Sequence, residues 1–309
     1  MILVIQTILP VVILIAFGFM LGKFQLFDKA ATEALIRFSV RIVVPVAIFR
    51  QAMATPLSQL SGYDYIAALA VALIGMYAFG FAFWKIILRG SARDSIVKAA
   101  CVSYPNMALL GLPIYTGIVG QHFAAMNVAV GNVITGLTIV PVMMAMLASS
   151  ALAEGERRSI PGFVWGALKP PLVWLPILGF ALPQLGVPHL PAFIDSPLKL
   201  VGQANVGLGL ICLGLILYGQ RFHFDRVVAM GVLLKLAVMP LIMLGLASVF
   251  AVHGEARLAL MLVAVTPTAS SMATIATEYH SDSARASATV LLTTLLSLIA
   301  FPAVQFAFS

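Results

Sequence analysis

Two short stretches place chemically capable residues inside an otherwise apolar chain. VSYPNMALLGLPI (102–114) sets Pro105 and Asn106 among leucines, and AVTPTASSMA (264–273) sets Pro267 and Thr268 beside Ser270 and Ser271. Proline removes a backbone donor, and its ring blocks the carbonyl four residues back. In lipid, the backbone groups freed in this way need protein, water or ligand partners. Short polar side chains can cap the resulting half-helices and keep donors to spare. Two half-helices starting near mid-membrane would aim N–H groups and positive dipole ends at one place. The ligand best suited to that field is an anion, above all a carboxylate. A proline can also merely kink a packed helix. Two breaks at matching places, both with polar flanks, favour a binding site over two independent kinks.

Other polar residues fall inside apolar runs. Asn127 and Asn132 lie in VAVGNVITG, where Asn132 could line a cavity or bond a neighbouring helix. Gln203 and Asn205 lie in GQANVGLGL, to face substrate or to satisfy each other. Arg41 follows Glu33 and Arg37 at four-residue steps, about 12 Å deeper than Glu33 at 1.5 Å per residue. It either snorkels to the membrane surface or offers its guanidinium fork to a substrate carboxylate. Lys235, about 13 Å beyond Arg226, is expected to snorkel or to find an internal partner. All 11 acidic residues fall in loops or at span ends, Glu278 being the nearest to an apolar run. A proton antiporter built on a buried carboxylate pair lacks its essential groups here, whereas an anionic substrate would meet no repulsion. The five histidines sit in loops without metal-ligand spacing, and no phosphate-binding glycine loop is present. No metal, no cofactor and no enzymatic reaction are expected. Cys101 and Cys212 fall in apolar runs and read as small buried hydrophobes.

The elements that must position these residues follow from composition. Of 309 residues, 61% are hydrophobic and 9% charged. Soluble domains carry about 25% charged residues. The apolar runs are continuous rather than alternating, so a helical membrane bundle is expected instead of a barrel. Punctuation divides the chain into ten spans near 2–22, 33–53, 63–88, 96–119, 123–151, 170–187, 197–219, 226–251, 257–277 and 284–307. The first reads as a retained transmembrane helix, not a signal peptide. Residues 153–169, containing EGERRS, form a linker between a first five-helix repeat, 1–152, and a second, 170–309. Lys23, Lys29, Arg89, Arg93, Arg157, Arg158, Lys169, Arg221, Arg226 and Arg285 all fall in odd-numbered loops. These loops are therefore expected in the cytoplasm and both termini outside, in a multi-pass protein of the inner or plasma membrane. The net charge of +7 is scattered over short loops, which excludes a nucleic-acid partner. Two halves with an odd number of spans enter the membrane from opposite sides, as inverted repeats do.

PNMALLGLPIY (105–115) resembles the Asn-x-x-x-x-Gly-x-Pro stretch of auxin efflux carrier transporters. The run TPTASSMATIATEYHSDSARASATVLLTTLLSLIAFP (266–302) is similar to the ending of that family. The resemblance implies an all-α membrane fold of ten helices in two inverted five-helix repeats, with helices four and nine broken and crossed. It further implies elevator-type alternating access and a small organic acid as substrate, malonate-like, malate-like or auxin-like. Ser270 and Ser271 depart from the family pattern, since many members carry Asn shortly after the second proline.

The expected function is secondary transport of a small organic anion. Asn106 and the backbone after Pro105 would hold the substrate together with Thr268, Ser270 and Ser271 after Pro267. Asn132, Gln203, Asn205 and Arg41 form a second group. A sodium-coupled symporter of the bile-acid type and a non-transporting receptor or scaffold stand as alternatives. Glycines in spans one and seven could serve helix contacts, including those of a homodimer.

Overall fold

The computed structural model describes residues 2–54, 62–150, 171–219 and 224–308. The linker 153–169, with its charged EGERRS run, and Arg221 lie outside the described residues. Among those described, the regular structure is helical and no strand occurs. Among the described residues five helices are long and apolar enough to cross a membrane: Tyr63–Ile87, Met126–Ser150, Ala192–Tyr218, Arg226–Val249 and Ser283–Phe308. Shorter apolar helices cover Leu9–Lys23 and Pro171–Gln184. The chain is a multi-pass, all-helical membrane protein.

Prolines shape many of these rods. Wide π-helical turns span Ser39–Val43, Met107–Gly111, Thr135–Ile139 and Leu234–Val238. Each ends two residues before a proline, Pro45, Pro113, Pro141 and Pro240 respectively. The carbonyl that the proline ring would strike lies inside the turn in every case. An i→i+5 turn moves that carbonyl aside without breaking the rod.

Helix starts at one end of the bundle carry side-chain caps. Asp28 accepts from Ala31 N at 2.7 Å, Ser91 from Asp94 N at 3.1 Å, and Asp225 from Val228 N at 3.0 Å. Two of these starts are also tied to the loop before the last helix. Ser281 Oγ and Asp282 N both donate to Asp94 Oδ1 at 2.9 Å. Arg285 binds Asp225 and Asp282 at 2.6 Å each. The loops near residues 90, 225 and 282 therefore lie on one face. Burial raises the Asp94 carboxyl, but hydrogen bonds from Ser91, Ser281 and Asp282, with Lys98 nearby, outweigh it and hold the group below the usual carboxylate range.

Close packing joins the first helix, Ile2–Lys23, to Ala192–Gly219, and Val44–Met53 to Pro171–Gln184. Glycine makes both approaches possible. A Cβ on Gly214 would stand 2.1 Å from Ile15 O, one on Gly18 2.2 Å from Ile211 O, and one on Gly179 2.6 Å from Phe49 O. Gly18 and Gly214, of the first and seventh spans, are thus spent on contacts within the chain. Gly120 breaks the Leu112–Ile134 helix with φ 78° and ψ 169°, at the boundary expected between spans four and five.

Candidate functional site: two helix breaks that cross

Both proline-bearing stretches interrupt their helices. Ala92–Ser103 stops at Tyr104, and a π turn resumes at Met107. Gly254–Val265 stops at Thr266, and Ser271–Glu278 resumes after Ser270. The two breaks meet. Pro105 and Thr268 form an isolated antiparallel bridge, closed by Asn106 N donating to Pro267 O at 2.8 Å and Ala269 N donating to Tyr104 O at 3.0 Å. Backbone groups freed by one proline are thus satisfied by the other segment, as lipid requires.

Hydroxyls dispose of the remaining carbonyls. Thr268 Oγ1 donates to Cys101 O at 2.6 Å, Ser103 Oγ to Ala99 O at 2.9 Å, and Thr266 Oγ1 to Leu262 O at 2.8 Å. Tyr115 and Thr266 hydrogen-bond through their hydroxyls. Thr268 N donates to Thr293 Oγ1 at 3.2 Å, which fastens the crossing to the last helix. The negative ends of the two leading half-helices are therefore occupied by protein. The positive ends of the two following segments begin at a cavity.

That cavity has a volume of about 120 Å³. Tyr104, Pro105, Asn106 and Met107 line it from one break, and Ala269, Ser270, Ser271 and Thr274 from the other. Ser39 and Gln51 come from the Lys29–Met53 rod, Asn132 and Asn205 from two further helices. No charged side chain is among the lining residues. Asn132 Nδ2 donates to Gln51 Oε1 at 3.2 Å. Ser39 Oγ is buried and has no partner among the described residues. The side chains of Asn106, Asn205, Ser270 and Ser271 enter no side-chain hydrogen bond within the described residues and remain half-buried. The site thus offers amides, hydroxyls and helix N-termini, a neutral donor set for an anion.

Of the residues singled out in the sequence, Pro105, Asn106, Asn132, Asn205, Ser270 and Ser271 meet at this cavity. Pro267 contributes its carbonyl to the bridge, and Thr268 is fully buried with its hydroxyl on Cys101 O. Gln203 is exposed and outside the lining. Arg41 is also outside it, paired through NH2 with Glu278 Oε1 at 2.7 Å. Glu278, a candidate surface charge in the sequence, is only 10% exposed. Lys235 neither snorkels nor pairs; it is fully buried. Asn127 binds Tyr65 and, at 2.9 Å, the Ala259 carbonyl, a bond between packed helices. Ser39, Gln51, Tyr104 and Thr274 were not apparent from sequence. Tyr104 and Ser39 carried a signal, Tyr104 directly before Pro105 and Ser39 as a small hydroxyl two residues before Arg41.

Two wider clefts flank the cavity. One, about 310 Å³, is lined by Glu33, Arg37, Arg41, Glu278, His280 and Ser281. The other, about 540 Å³, is lined by Arg50, Met53, Pro183, His189 and Asp195, with Arg50 and Asp195 paired across it. Residues of the single Lys29–Met53 rod reach all three spaces in order: Glu33 to Arg41, then Ser39 to Gln51, then Arg50 and Met53.

A family of membrane transport proteins matches residues 3–304. The chain belongs to that family, which is the auxin efflux carrier family. Among curated proteins it is similar to the "Uncharacterized transporter YfdV" of Escherichia coli K12, with 25% identity over 276 residues, 88% of this chain and 87% of the relative. The YfdV proteins of Escherichia coli O157:H7 and Shigella flexneri match to the same extent. The protein is a membrane transporter of this family.

Proposed function

We propose that this transporter carries a small organic anion, a mono- or dicarboxylate, by alternating access around the crossed breaks. The observation that carries this reading is the polar, uncharged cavity at the bridge of Pro105 and Thr268, flanked along one helix by a cleft on either side. The side chains of Asn106, Ser270 and Ser271 hold the carboxylate. Asn132, Asn205 and Ser39 complete its shell. Thr268, Pro105 and Pro267 shape the crossing rather than touch the substrate. Arg41 acts at the entrance, and Gln203 stays outside.

Ten spans in two inverted repeats accommodate these relations. Span one packs on span seven as span six packs on span two, a reciprocal pattern that a two-fold axis in the membrane plane produces. The same axis relates the two breaks. The crossing unit moves against the scaffold formed by those paired helices. The face holding Asp28, Ser91 and Asp225 is cytoplasmic by its basic loops, which leaves both termini outside.

A thermal-shift screen of purified protein in nanodiscs against malonate, malate, short monocarboxylates and indole acetate tests the reading. One class should raise Tm, and Asn106→Ala should abolish the shift. No stabilisation by any carboxylate, or a shift unchanged by both Asn106→Ala and Ser270→Ala, would place the site elsewhere. Stabilisation that requires sodium would identify the sodium symporter, and binding without flux in liposomes a receptor.

A further inference from the structure

Lys235 belongs to none of the three cavities, yet it is among the largest fully buried side chains. Its Nζ finds no hydrogen-bond partner among the described residues. It stands in the π turn Leu234–Val238, which packs against Ala92–Ser103, Gly254–Val265 and Ser283–Phe308. The first two are the half-helices that lead into the crossing. The third carries Thr293, which holds Thr268 N.

Register places the amine more closely. A Cβ on Gly231 would lie 3.5 Å from Thr289 Oγ1. Asp225 and Arg285, at the starts of these two helices, are paired, so the helices run in the same direction. One further turn along each carries Gly231 to Lys235 and Thr289 to Thr293. The backbone of Lys235 therefore stands behind the crossing, about level with Thr293, and its amine is buried among these elements.

Charged groups on the surrounding elements lie towards the ends. Arg93 and Asp94 stand in the first turn of their helix, and Lys98, at its middle, is held 3.6 Å from Asp282 in the loop before the last helix. Arg226 opens the helix of Lys235 itself, and Arg285 is engaged by Asp225 and Asp282. Glu255 and Arg257 open Gly254–Val265 at the far end, where Arg257 lies over the Phe308 ring at 5.5 Å. Cys101 is the titratable side chain deeper in these elements, and a buried thiol is neutral. Among the described residues no carboxylate is placed to balance an ammonium. An unpaired ammonium sealed from water is strongly disfavoured, so charging the amine requires the bundle to open.

We propose that Lys235 is the proton-coupling site of the carrier, protonated when movement of the crossing unit admits water and deprotonated when the bundle closes. The step is amine plus one proton giving ammonium, with no other bond changed. It couples proton movement to the organic anion, and so rests on the function proposed above. An apolar side chain would fill the same space without an unsatisfied donor; the amine has a use only if it titrates.

Two measurements separate this proposal from the function it rests on. In nanodiscs, protein labelled with nitrogen-15 at the lysine side chains should show one amine-type resonance under mildly alkaline conditions. Lys235→Met should lack it, and mild acidification should convert it to the ammonium type. In liposomes with the potential clamped, an inward proton gradient should drive malonate accumulation, approaching about tenfold per pH unit for one proton per anion. Lys235→Met and Lys235→Gln should lose that accumulation while retaining malonate counterflow. Ammonium-type resonances for every lysine throughout, or gradient-driven accumulation that survives both variants, would overturn the proposal. A wild type that moves no malonate counts against the function reading for that acid, and the resonance alone then decides the proton site.

Discussion

Arg41 Nε donates to Glu278 Oε1 at 2.7 Å, across most of the sequence. Glu278 closes the half-helix that opens at the cavity with Ser271, and Arg41 stands in the π turn beside Ser39. The pair thus ties the far end of one segment of the crossing to the rod that lines the three cavities. Exposed ion pairs contribute little, about 0.2–1 kcal/mol. That is enough to bias a conformational equilibrium. Glu278→Gln is expected to raise the labelling rate of a cysteine introduced at Thr274 by about 1.4- to fivefold. Cys101 and Cys212 are buried, so the background should be low. An unchanged rate would show that the pair does not restrain the movement.

Asn106 and Ser270 face the cavity from opposite sides of the crossing. Each hydrogen bond to a charged ligand contributes about 1.5–3 kcal/mol. Asn106→Ala and Ser270→Ala should each weaken carboxylate binding by roughly ten- to a hundredfold, with little change in the Tm of the unliganded protein. Calorimetric titration of each variant checks this, and unchanged affinity in both would remove the breaks from the binding site.

Thr268 has a different task. Its hydroxyl satisfies Cys101 O in a fully buried position. Thr268→Val keeps the shape and orphans the carbonyl, for a loss of about 1–3 kcal/mol. The unliganded Tm should fall, and Thr268→Ser should restore most of it. A neutral Thr268→Val would mean that water or backbone adjustment replaces the bond.

At Gly214 the Cβ of any other residue would collide with Ile15 O, 2.1 Å away. Backbone cannot yield as a side-chain tip can. Gly214→Ala should cost at least about 1–3 kcal/mol and part the first helix from its partner. Lowered Tm and faster proteolysis near Lys23 are the expected readouts; wild-type values for both would show that the interface can spread freely.

The Asp94 carboxyl has a folded pKa below its unfolded value, so its contribution is present above the unfolded pKa and fades as pH falls through the folded one. Stability should decline on acidification through the carboxylate range, and Asp94→Asn should flatten that part of the profile. Equal acid sensitivity in wild type and variant would assign the decline to other groups.

How much of this was legible in the sequence depends on the interaction concerned. Pro105 and Pro267 announced breaks because proline's lost donor is a local fact. Asn106, Ser270 and Ser271 were legible as their flanks. The antiparallel bridge was not, since nothing local states that one break will pair with another. The π turns before Pro45, Pro113, Pro141 and Pro240 were hidden for a related reason. The prolines are visible, but a rod can answer one by kinking, stopping or widening. Gln51 and Thr274 reach the cavity through tertiary packing alone and carry no motif, whereas Tyr104 stands directly before Pro105. Arg41 showed its depth by helical rise, while its partner Glu278 lay too far along the chain to be inferred.

The π turn at Ser39–Val43 also acts as a phase setter. An α-helix rotates about 100° per residue, so one surplus residue changes which stripe of the rod faces inwards. The bulge absorbs that surplus; straightening it to an ordinary α turn with every residue kept would swing Val44, Ile48 and Gln51 by about 100° away from the cavity while Glu33 and Arg37 kept their places. The cleft of Glu33 and the central cavity would then belong to different sides of the same rod, although the residues of neither had been altered.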